Sequence, residues 1–196
     1  MCEVVKLDSR DSFKVLRGAA CAFGVFDGFH LGHRFIIDKA IQAARETDAK
    51  SVVLTFDIDP DELFAADRLQ KLMDNDTRIH ALSKSGVDCV AVFNFTREFA
   101  ALEPEAFLEH SFDLERPASI HVGSDFRFGC RAKGDIEVMK SWGQRRGIDV
   151  IGYDLFEIGG MPVTSTRIRK LRELGDYASA RDLLGHDLGP EVGALV

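Results

Sequence analysis

Short apolar runs alternate along the chain with longer segments of helical spacing, and this alternation limits the fold more than any other feature. Strands separated by helices are joined by right-handed crossovers and lie parallel in one sheet. We therefore predict an α/β fold with a Rossmann-like, doubly wound parallel sheet of about five strands. The predicted strands are 19–26, 51–56, 89–93, 119–122 and 148–151.

The segments between these strands carry helix signals. In a helix that begins at Leu31, Ile37, Ala40, Ile41 and Ala44 fall at i, i+3, i+4 and i+7 on one face. Glycines mark several helix ends. The other predicted helices are 68–84, 105–112 and 133–146, one that begins at 164 or 165, and 176–184, with stops at Gly86, Gly147 and Gly185.

Composition bounds the class of protein. A length of 196 residues with 45% apolar residues suits one well-buried domain. The formal net charge of −7 argues against non-specific electrostatic binding to nucleic acid or to an anionic membrane. An anionic substrate therefore needs a locally basic pocket. The N-terminal sequence has neither the basic start nor the apolar run of a signal peptide.

The four cysteines, Cys2, Cys21, Cys89 and Cys130, are far apart and form no C-x-x-C pair. The spacing suggests neither a disulfide framework nor a zinc site. Free thiols suit a reducing compartment, and we expect a cytoplasmic protein.

The strongest motif is the run GVFDGFHLGH at positions 24–33, where the first predicted strand meets the first helix. Ligands bind at such joints in open parallel sheets. Gly28 and Gly32 lack side chains that would hold a ligand away, and a helix start attracts phosphate oxygens. His30 and His33 can both donate hydrogen bonds to a phosphoryl group. The alternative is a tight turn, capped by Asp27, before two half-exposed histidines.

A second run, VTSTRIR at positions 163–169, joins hydroxyl groups at a predicted helix start to basic side chains. Hydroxyls, free backbone N–H groups and a guanidinium together suit a triphosphate. Taken alone, the run is also compatible with an ordinary N-cap and a solvated basic face.

A third run, VGSDFRFG at positions 122–129, follows the fourth predicted strand. Phe126 or Phe128 can pack against a planar ring, Asp125 can accept hydrogen bonds, and Arg127 can face a phosphate. The structural alternative is an arginine and two aromatic residues in a strand-to-helix packing layer.

Together the runs resemble the nucleotidyltransferase superfamily and, within it, the FMN adenylyltransferase domain of bacterial bifunctional riboflavin kinase/FAD synthetases. The first run matches the pattern G-x-F-D-G-x-H-x-G-H. The second is similar to I-S-S-T-x-I-R, with Val163 and Thr164 as substitutions, and the third to V-G-x-D-F-R-F-G. Further matches at 88–90, 95–96 and 174–185 extend the resemblance over about residues 15–185.

The resemblance implies transfer of AMP from ATP to FMN, which gives FAD and pyrophosphate, with Mg²⁺ bound together with ATP. It implies that His30 and His33 stabilise the transition state without a covalent intermediate. It implies no metal site built by the protein alone and leaves the oligomeric state open. The implied ATP-binding residues are Gly24, Phe26, Asp27, Gly28, Gly32, Thr164, Ser165, Thr166 and Arg169, and the implied flavin-binding residues are Asp125, Phe126, Arg127, Phe128, Phe56 and Asp57.

The chain departs from the family pattern in two places. Where relatives commonly carry T-F-D-P-H-P, positions 55–60 read TFDIDP, so a rigid proline is lost and Asp59 adds a carboxylate. If this loop lines the site, anion binding should weaken. The bifunctional proteins also carry a kinase barrel after the transferase domain, whereas few residues follow Gly185 here. We expect a transferase domain at 1–185 and, at 186–196, a tail or the start of an absent kinase domain.

Two other functions stay open. One is an adenylyl- or cytidylyltransferase for a different phosphorylated acceptor, which Asp59 makes possible. The other is a non-catalytic flavin- or nucleotide-binding protein that keeps the fold without turnover. Binding alone does not require the histidine pair.

Overall fold

The computed structural model of the protein describes residues 2–65 and 70–185, and six of its strands form one parallel sheet. The strands are β1 (Glu3–Lys6), β2 (Ala20–Phe23), β3 (Ser51–Phe56), β4 (Cys89–Phe93), β5 (Ser119–Gly123), β6 (Asp149–Tyr153), β7 (Glu157–Ile158) and β8 (Met161–Pro162). The sheet order is β1-β4-β3-β2-β5-β6, and all neighbouring pairs are parallel. A short antiparallel hairpin of β7 and β8 is separate from the sheet.

Helices cover both faces of the sheet. The helices are α1 (Leu31–Glu46), α2 (Glu62–Ala65), α3 (Asn75–Ser83), α4 (Arg97–Ala100), α5 (Pro104–Phe112), α6 (Ile136–Arg146), α7 (Ser165–Glu173) and α8 (Tyr177–Leu184). Side chains of α1 and α3 share one buried cluster with β2, β3 and β4, and side chains of α5 and α6 share another with the opposite face of the sheet. This arrangement confirms the predicted α/β, doubly wound architecture.

Several predicted boundaries were wrong, and each has a local cause. The predicted strand 19–26 ends at Phe23, because Phe26 already has a left-handed backbone with φ of 61°. Residues 68 and 69 of the helix predicted at 68–84 lie outside the described residues, and the described helix begins at Asn75, where the Asp74 carboxylate accepts the Thr77 N–H at 2.8 Å. The helix predicted from 133 begins at Ile136 behind a similar aspartate cap.

The sheet has one strand more than the five predicted. β1 pairs with β4 at the edge of the sheet, and its four residues are partly or fully exposed. So short and exposed a strand carries no clear apolar pattern. The tail predicted at 186–196 lies outside the described residues.

The topology places a crevice at the carboxyl ends of β2 and β5. After β2 the chain builds β3 and β4 on one side, then returns to add β5 and β6 on the other. The crevice between β2 and β5 is therefore the switch point at which open α/β sheets bind ligands. Within residues 2–65 and 70–185, no helix is both long and apolar enough to cross a bilayer.

Candidate active site

A continuous cleft at the switch point consists of three pockets. The hairpin pocket, about 220 Å³, lies between the start of α7 and the segment that leads into the β7–β8 hairpin, with Tyr153 and Phe156 in its wall. The central pocket, about 270 Å³, lies over the loop after β2. The aromatic pocket, about 670 Å³, is lined by Phe56, Phe126 and Phe128 among others.

Shared walls make the three pockets one cleft. The hairpin and central pockets share five lining residues, among them His33, Asp125 and Ser165. The central and aromatic pockets share Asp59 and Phe126, together with two others. The central pocket therefore adjoins both of the others, and His33 lies where the hairpin and central pockets meet.

The loop after β2 has an unusual backbone that its sequence makes possible. Phe26 has a φ of 61°, and its ring meets the ring of His33 edge-on at 5.3 Å. Gly28 has a φ of 78°, and a side chain there would come within 2.6 Å of the Leu72 Cδ1 atom. A positive φ in a non-glycine residue is strained, and such strain is commonest at functional sites.

His30 and His33 stack on each other at the start of α1. Their ring centroids are 3.5 Å apart with an angle of 19° between the planes. The His30 Nδ1 accepts a hydrogen bond from the His33 backbone N–H at 3.3 Å, so His30 is the N-cap of α1. Because this Nδ1 is an acceptor, the proton of a neutral His30 lies on Nε2, where it can be donated to a ligand. Among the described residues the His33 Nδ1 has no hydrogen-bond partner.

Both imidazoles are neutral near pH 7. Burial, with a smaller contribution from the positive charge of Arg169, lowers the pKa of His30 to about 4. Burial, His30 and Arg78 hold the pKa of His33 well below its usual value. The histidines therefore offer N–H groups rather than a full positive charge to the cleft.

The low pKa of His30 predicts a pH-dependent stability. Between about pH 6.5 and pH 4 the unfolded chain takes up a proton at position 30 that the folded protein does not, so the free energy of unfolding falls on acidification. Asp27 and Asp59 act in the opposite direction, because burial raises their pKa values. Measuring urea unfolding from pH 7 to pH 4 for wild type and His30→Asn cancels their effect. We expect the free energy of unfolding of wild type to fall by up to about 3 kcal/mol relative to that of His30→Asn over this pH range, whereas parallel curves would contradict a neutral buried His30.

Asp27 and Arg169 form an ion pair that joins the loop after β2 to α7. The Arg169 Nη2 lies 2.6 Å from an Asp27 carboxylate oxygen, and its Nε donates to the Gln70 carbonyl at 2.8 Å. The Asp27 carboxylate also accepts the Leu72 N–H at 3.2 Å. Burial raises the pKa of Asp27, and Arg169 opposes that rise. The pair fixes a guanidinium on the wall of the central pocket.

The start of α7 supplies hydroxyl groups to the same cleft. The Thr164 hydroxyl caps the helix by accepting the Arg167 N–H at 3.1 Å. The Ser165 hydroxyl donates to the Asp27 carbonyl at 3.0 Å, which ties α7 to the first motif. Thr166 lines the hairpin pocket with them. The first turn of α7 therefore faces the cleft, where its backbone N–H groups suit an anion.

Arg78 lies buried beneath the central pocket, a position that no sequence pattern indicated. Its guanidinium donates to the Val25 carbonyl and the Thr55 hydroxyl at 2.7 Å each, and to the Phe56 carbonyl at 2.8 Å. Burial lowers its pKa, while Asp59 and other carboxylates oppose this. Arg78 therefore joins the loop after β2 to the end of β3.

Most of the predicted site residues meet in this cleft. The residues on the walls of the hairpin or central pocket are Gly24, Phe26, Asp27, His30, Gly32, His33, Asp125, Thr164, Ser165, Thr166 and Arg169. Phe56, Phe126, Arg127 and Phe128 line the aromatic pocket. Asp125, predicted on the flavin side, lies where the hairpin and central pockets meet.

Two predicted residues support the cleft without lining any of the three pockets. Gly28 gives Leu72 room to pack against the loop. The Asp57 carboxylate accepts the backbone N–H groups of Ile58 at 2.9 Å and Phe95 at 2.8 Å. Both residues shape the backbone around the cleft.

A family model described as FAD synthetase matches residues 12–167. The chain belongs to the FAD synthetase family. The matched range contains the histidine pair, the third motif and the first three residues of α7. Membership confirms the resemblance that the three motifs carry.

Two relatives carry names of this family, and one solved structure shares the fold. The bifunctional riboflavin kinase/FMN adenylyltransferase of Escherichia coli (strain K12) is 33% identical over 174 residues, which cover 86% of this chain and 55% of that protein. A relative from Geobacillus thermodenitrificans is 28% identical and matches over 94% of this chain and 99% of its own length. A crystal structure named as a macrolide-efflux protein from Streptococcus pneumoniae superposes with a TM-score of 0.82, at 26% identity over 96% of this chain and 72% of that one. The chain thus spans about half the length of the Escherichia coli relative.

Proposed function

We propose that this member of the FAD synthetase family transfers AMP from ATP to FMN, with release of pyrophosphate. The observation that supports this most is the position of His33 in a cleft with a polar pocket on one side and an aromatic pocket on the other. The aromatic pocket, about 670 Å³, is within the range that holds a small planar ligand. Its phenylalanines suit the flat face of a flavin ring.

The three pockets suggest where each part of the substrates binds. The nucleoside of ATP would occupy the hairpin pocket, and the phosphates would run into the central pocket towards Arg169. The flavin would occupy the aromatic pocket, with its phosphate directed back at the α-phosphorus. A phosphate oxygen of FMN then forms a bond to that phosphorus while the bond to pyrophosphate breaks. His30 and His33 would donate hydrogen bonds to the charge that develops on the α-phosphate.

The cleft also fits a Mg²⁺ ion that arrives with the nucleotide. Across the described ranges no three His, Cys, Asp or Glu side chains form a ready-made metal site. The carboxylates of Asp61 and Asp125 are, however, exposed on the walls of the central pocket. Mg²⁺ in nucleotide sites usually takes one or two carboxylates, with phosphate oxygens and water as its other ligands. Asp61 and Asp125 would hold it, and when bound it would neutralise part of the triphosphate charge.

Asp59 lies between the central and aromatic pockets, at the position where the resemblance leads one to expect histidine. Its side chain is buried, and its carboxylate accepts the Asp61 N–H at 2.9 Å. Burial raises its pKa, and the negative charges of Asp27 and Asp61 raise it further. When ionised, this carboxylate repels the phosphate that an acceptor must bring past it.

We expect Asp59→Asn to lower the KM for FMN by about fivefold, which corresponds to ~1 kcal/mol. The asparagine oxygen can still accept the Asp61 N–H, so the loop should keep its shape. Steady-state kinetics with varied FMN at saturating ATP measures the change, and the KM for ATP is the internal control. An unchanged or higher KM for FMN would show that the Asp59 charge does not oppose the acceptor.

The proposed activity is tested by incubating the protein with ATP, Mg²⁺ and either FMN or riboflavin. Chromatography follows FAD, and a coupled assay follows pyrophosphate. FAD from FMN and none from riboflavin supports the proposal. Pyrophosphate release with NMN or pantetheine phosphate, and none with FMN, would instead indicate a different acceptor. Nucleotide binding without any pyrophosphate would indicate a binding protein.

A further inference from the structure

His121 on β5 and Tyr153 at the end of β6 form a polar pair beside the hairpin pocket. The His121 Nδ1 lies 2.8 Å from the Tyr153 hydroxyl oxygen, and its Nε2 lies 2.9 Å from the Ser119 hydroxyl oxygen. Only 2% of His121 is exposed, and burial lowers its pKa while Asp149 opposes this. Both ring nitrogens of a buried, neutral imidazole therefore have a hydroxyl partner.

The pairing of β5 and β6 brings these two side chains together. His121 is opposite Ile151 in the register, so Tyr153 is its diagonal neighbour on the same face of the sheet. The two rings are nearly parallel, with centroids 5.9 Å apart and an angle of 9° between the planes. The Tyr153 ring is thus held both by its hydroxyl group and by its face.

Tyr153 extends this buried contact to the ligand cleft. It is partly exposed and lines the hairpin pocket together with Phe156. Its ring meets Phe35 edge-on at 5.7 Å, and Phe35 in turn contacts Phe156 at 5.7 Å. The Tyr153 carbonyl also accepts the Ser124 N–H at 2.8 Å, next to Asp125. The place of Tyr153 therefore sets the shape of one wall of the hairpin pocket.

We propose that His121 is a positioning residue for the nucleoside of ATP and acts by holding Tyr153 in the wall of the hairpin pocket. The inference rests on the proposed function, because it assumes that this pocket takes the nucleoside. His121 itself is buried behind the wall and does not line the pocket. Without His121, the Tyr153 hydroxyl loses its partner and the ring is free to change rotamer. Binding of ATP must then fix the ring again, and this loss of conformational entropy lowers the affinity for ATP.

Two amide substitutions at His121 test this role against a purely structural one. An asparagine side chain reaches the position of Nδ1 and keeps a partner for Tyr153, whereas a glutamine reaches the position of Nε2 and keeps the partner of Ser119. Both bury one amide in place of the imidazole, so each serves as the control for the other. Tyr153→Phe removes only the hydroxyl group and keeps the ring.

Calorimetric titration of ATP without FMN measures binding alone. We expect the Kd for ATP to rise about threefold to tenfold in His121→Gln and in Tyr153→Phe, in line with the loss of one hydrogen bond. In His121→Asn the rise should stay below about twofold. The KM for FMN should not change in any of the three, and melting temperatures establish that each variant folds.

The possible outcomes separate this inference from the function on which it rests. If wild type binds ATP, but the Asn and Gln variants have equal Kd values, the role of His121 is structural and the inference is overturned. An unchanged Kd in Tyr153→Phe would overturn it even if both His121 variants fail to fold. If wild type does not bind ATP at all, the proposed function itself fails, and the inference fails with it.

Discussion

Replacement of His33 by alanine is expected to lower kcat for FAD formation by about 10²–10³, the usual effect of removing one donor to a developing oxyanion. His33 lines both the hairpin and central pockets, and its Nδ1 has no partner among the described residues. Because the pKa of His33 is well below the usual value, we expect the neutral side chain to act on the transition state through an N–H group. Single-turnover FAD formation at saturating ATP and FMN measures the chemical step.

His30 needs a paired comparison, because its Nδ1 also caps α1. His30→Ala removes both the cap and the donor, whereas His30→Asn keeps a good N-cap and removes only the imidazole. We expect both variants to lose turnover, while the alanine variant alone loses about 1 kcal/mol of stability. A loss of less than about tenfold in turnover for the His33 and His30 variants, with folding intact, would refute the proposed role of the pair.

Local sequence patterns were enough to predict the fold class and the centre of the cleft. The run 24–33 combines a strand, a tight turn and a helix start, so its glycines and histidines lie together whatever the rest of the chain does. The first turn of α7 was predicted for the same reason, since Thr164 caps the helix and Ser165 follows it. That these two segments touch through Asp27 and Ser165 depends on the topology, which the alternation of strands and helices also predicts.

Contacts between residues that are far apart in the sequence could not be predicted from local patterns. Arg78 falls in a polar helix, and only the packing of that helix under β2 and β3 buries it. His121 and Tyr153 are 32 residues apart and meet because of the register between β5 and β6. Asp57 was assigned to the flavin by resemblance, but its carboxylate accepts two backbone N–H groups. A short sequence motif specifies the residue type at a position and does not say which group forms a hydrogen bond with its side chain.

Removing the Arg169 side chain should damage both stability and ATP binding, through two separable effects. The Asp27 side chain is only 7% exposed, so Arg169→Ala leaves a nearly buried carboxylate without its partner. Breaking such a pair costs about 3–5 kcal/mol of stability. The lost guanidinium should also raise the KM for ATP by roughly 10–100-fold, if it binds the triphosphate as proposed.

The double variant Asp27→Asn with Arg169→Ala distinguishes these two effects. Asparagine removes the unpaired charge but can still accept the Leu72 N–H, so most of the lost stability should return in urea unfolding. The KM for ATP should stay as high as in Arg169→Ala, because no positive charge has been restored. If ATP binding recovers together with stability, Arg169 serves the fold by neutralising Asp27. If stability recovers alone, the ion pair holds in place a guanidinium whose further role is to bind the phosphates.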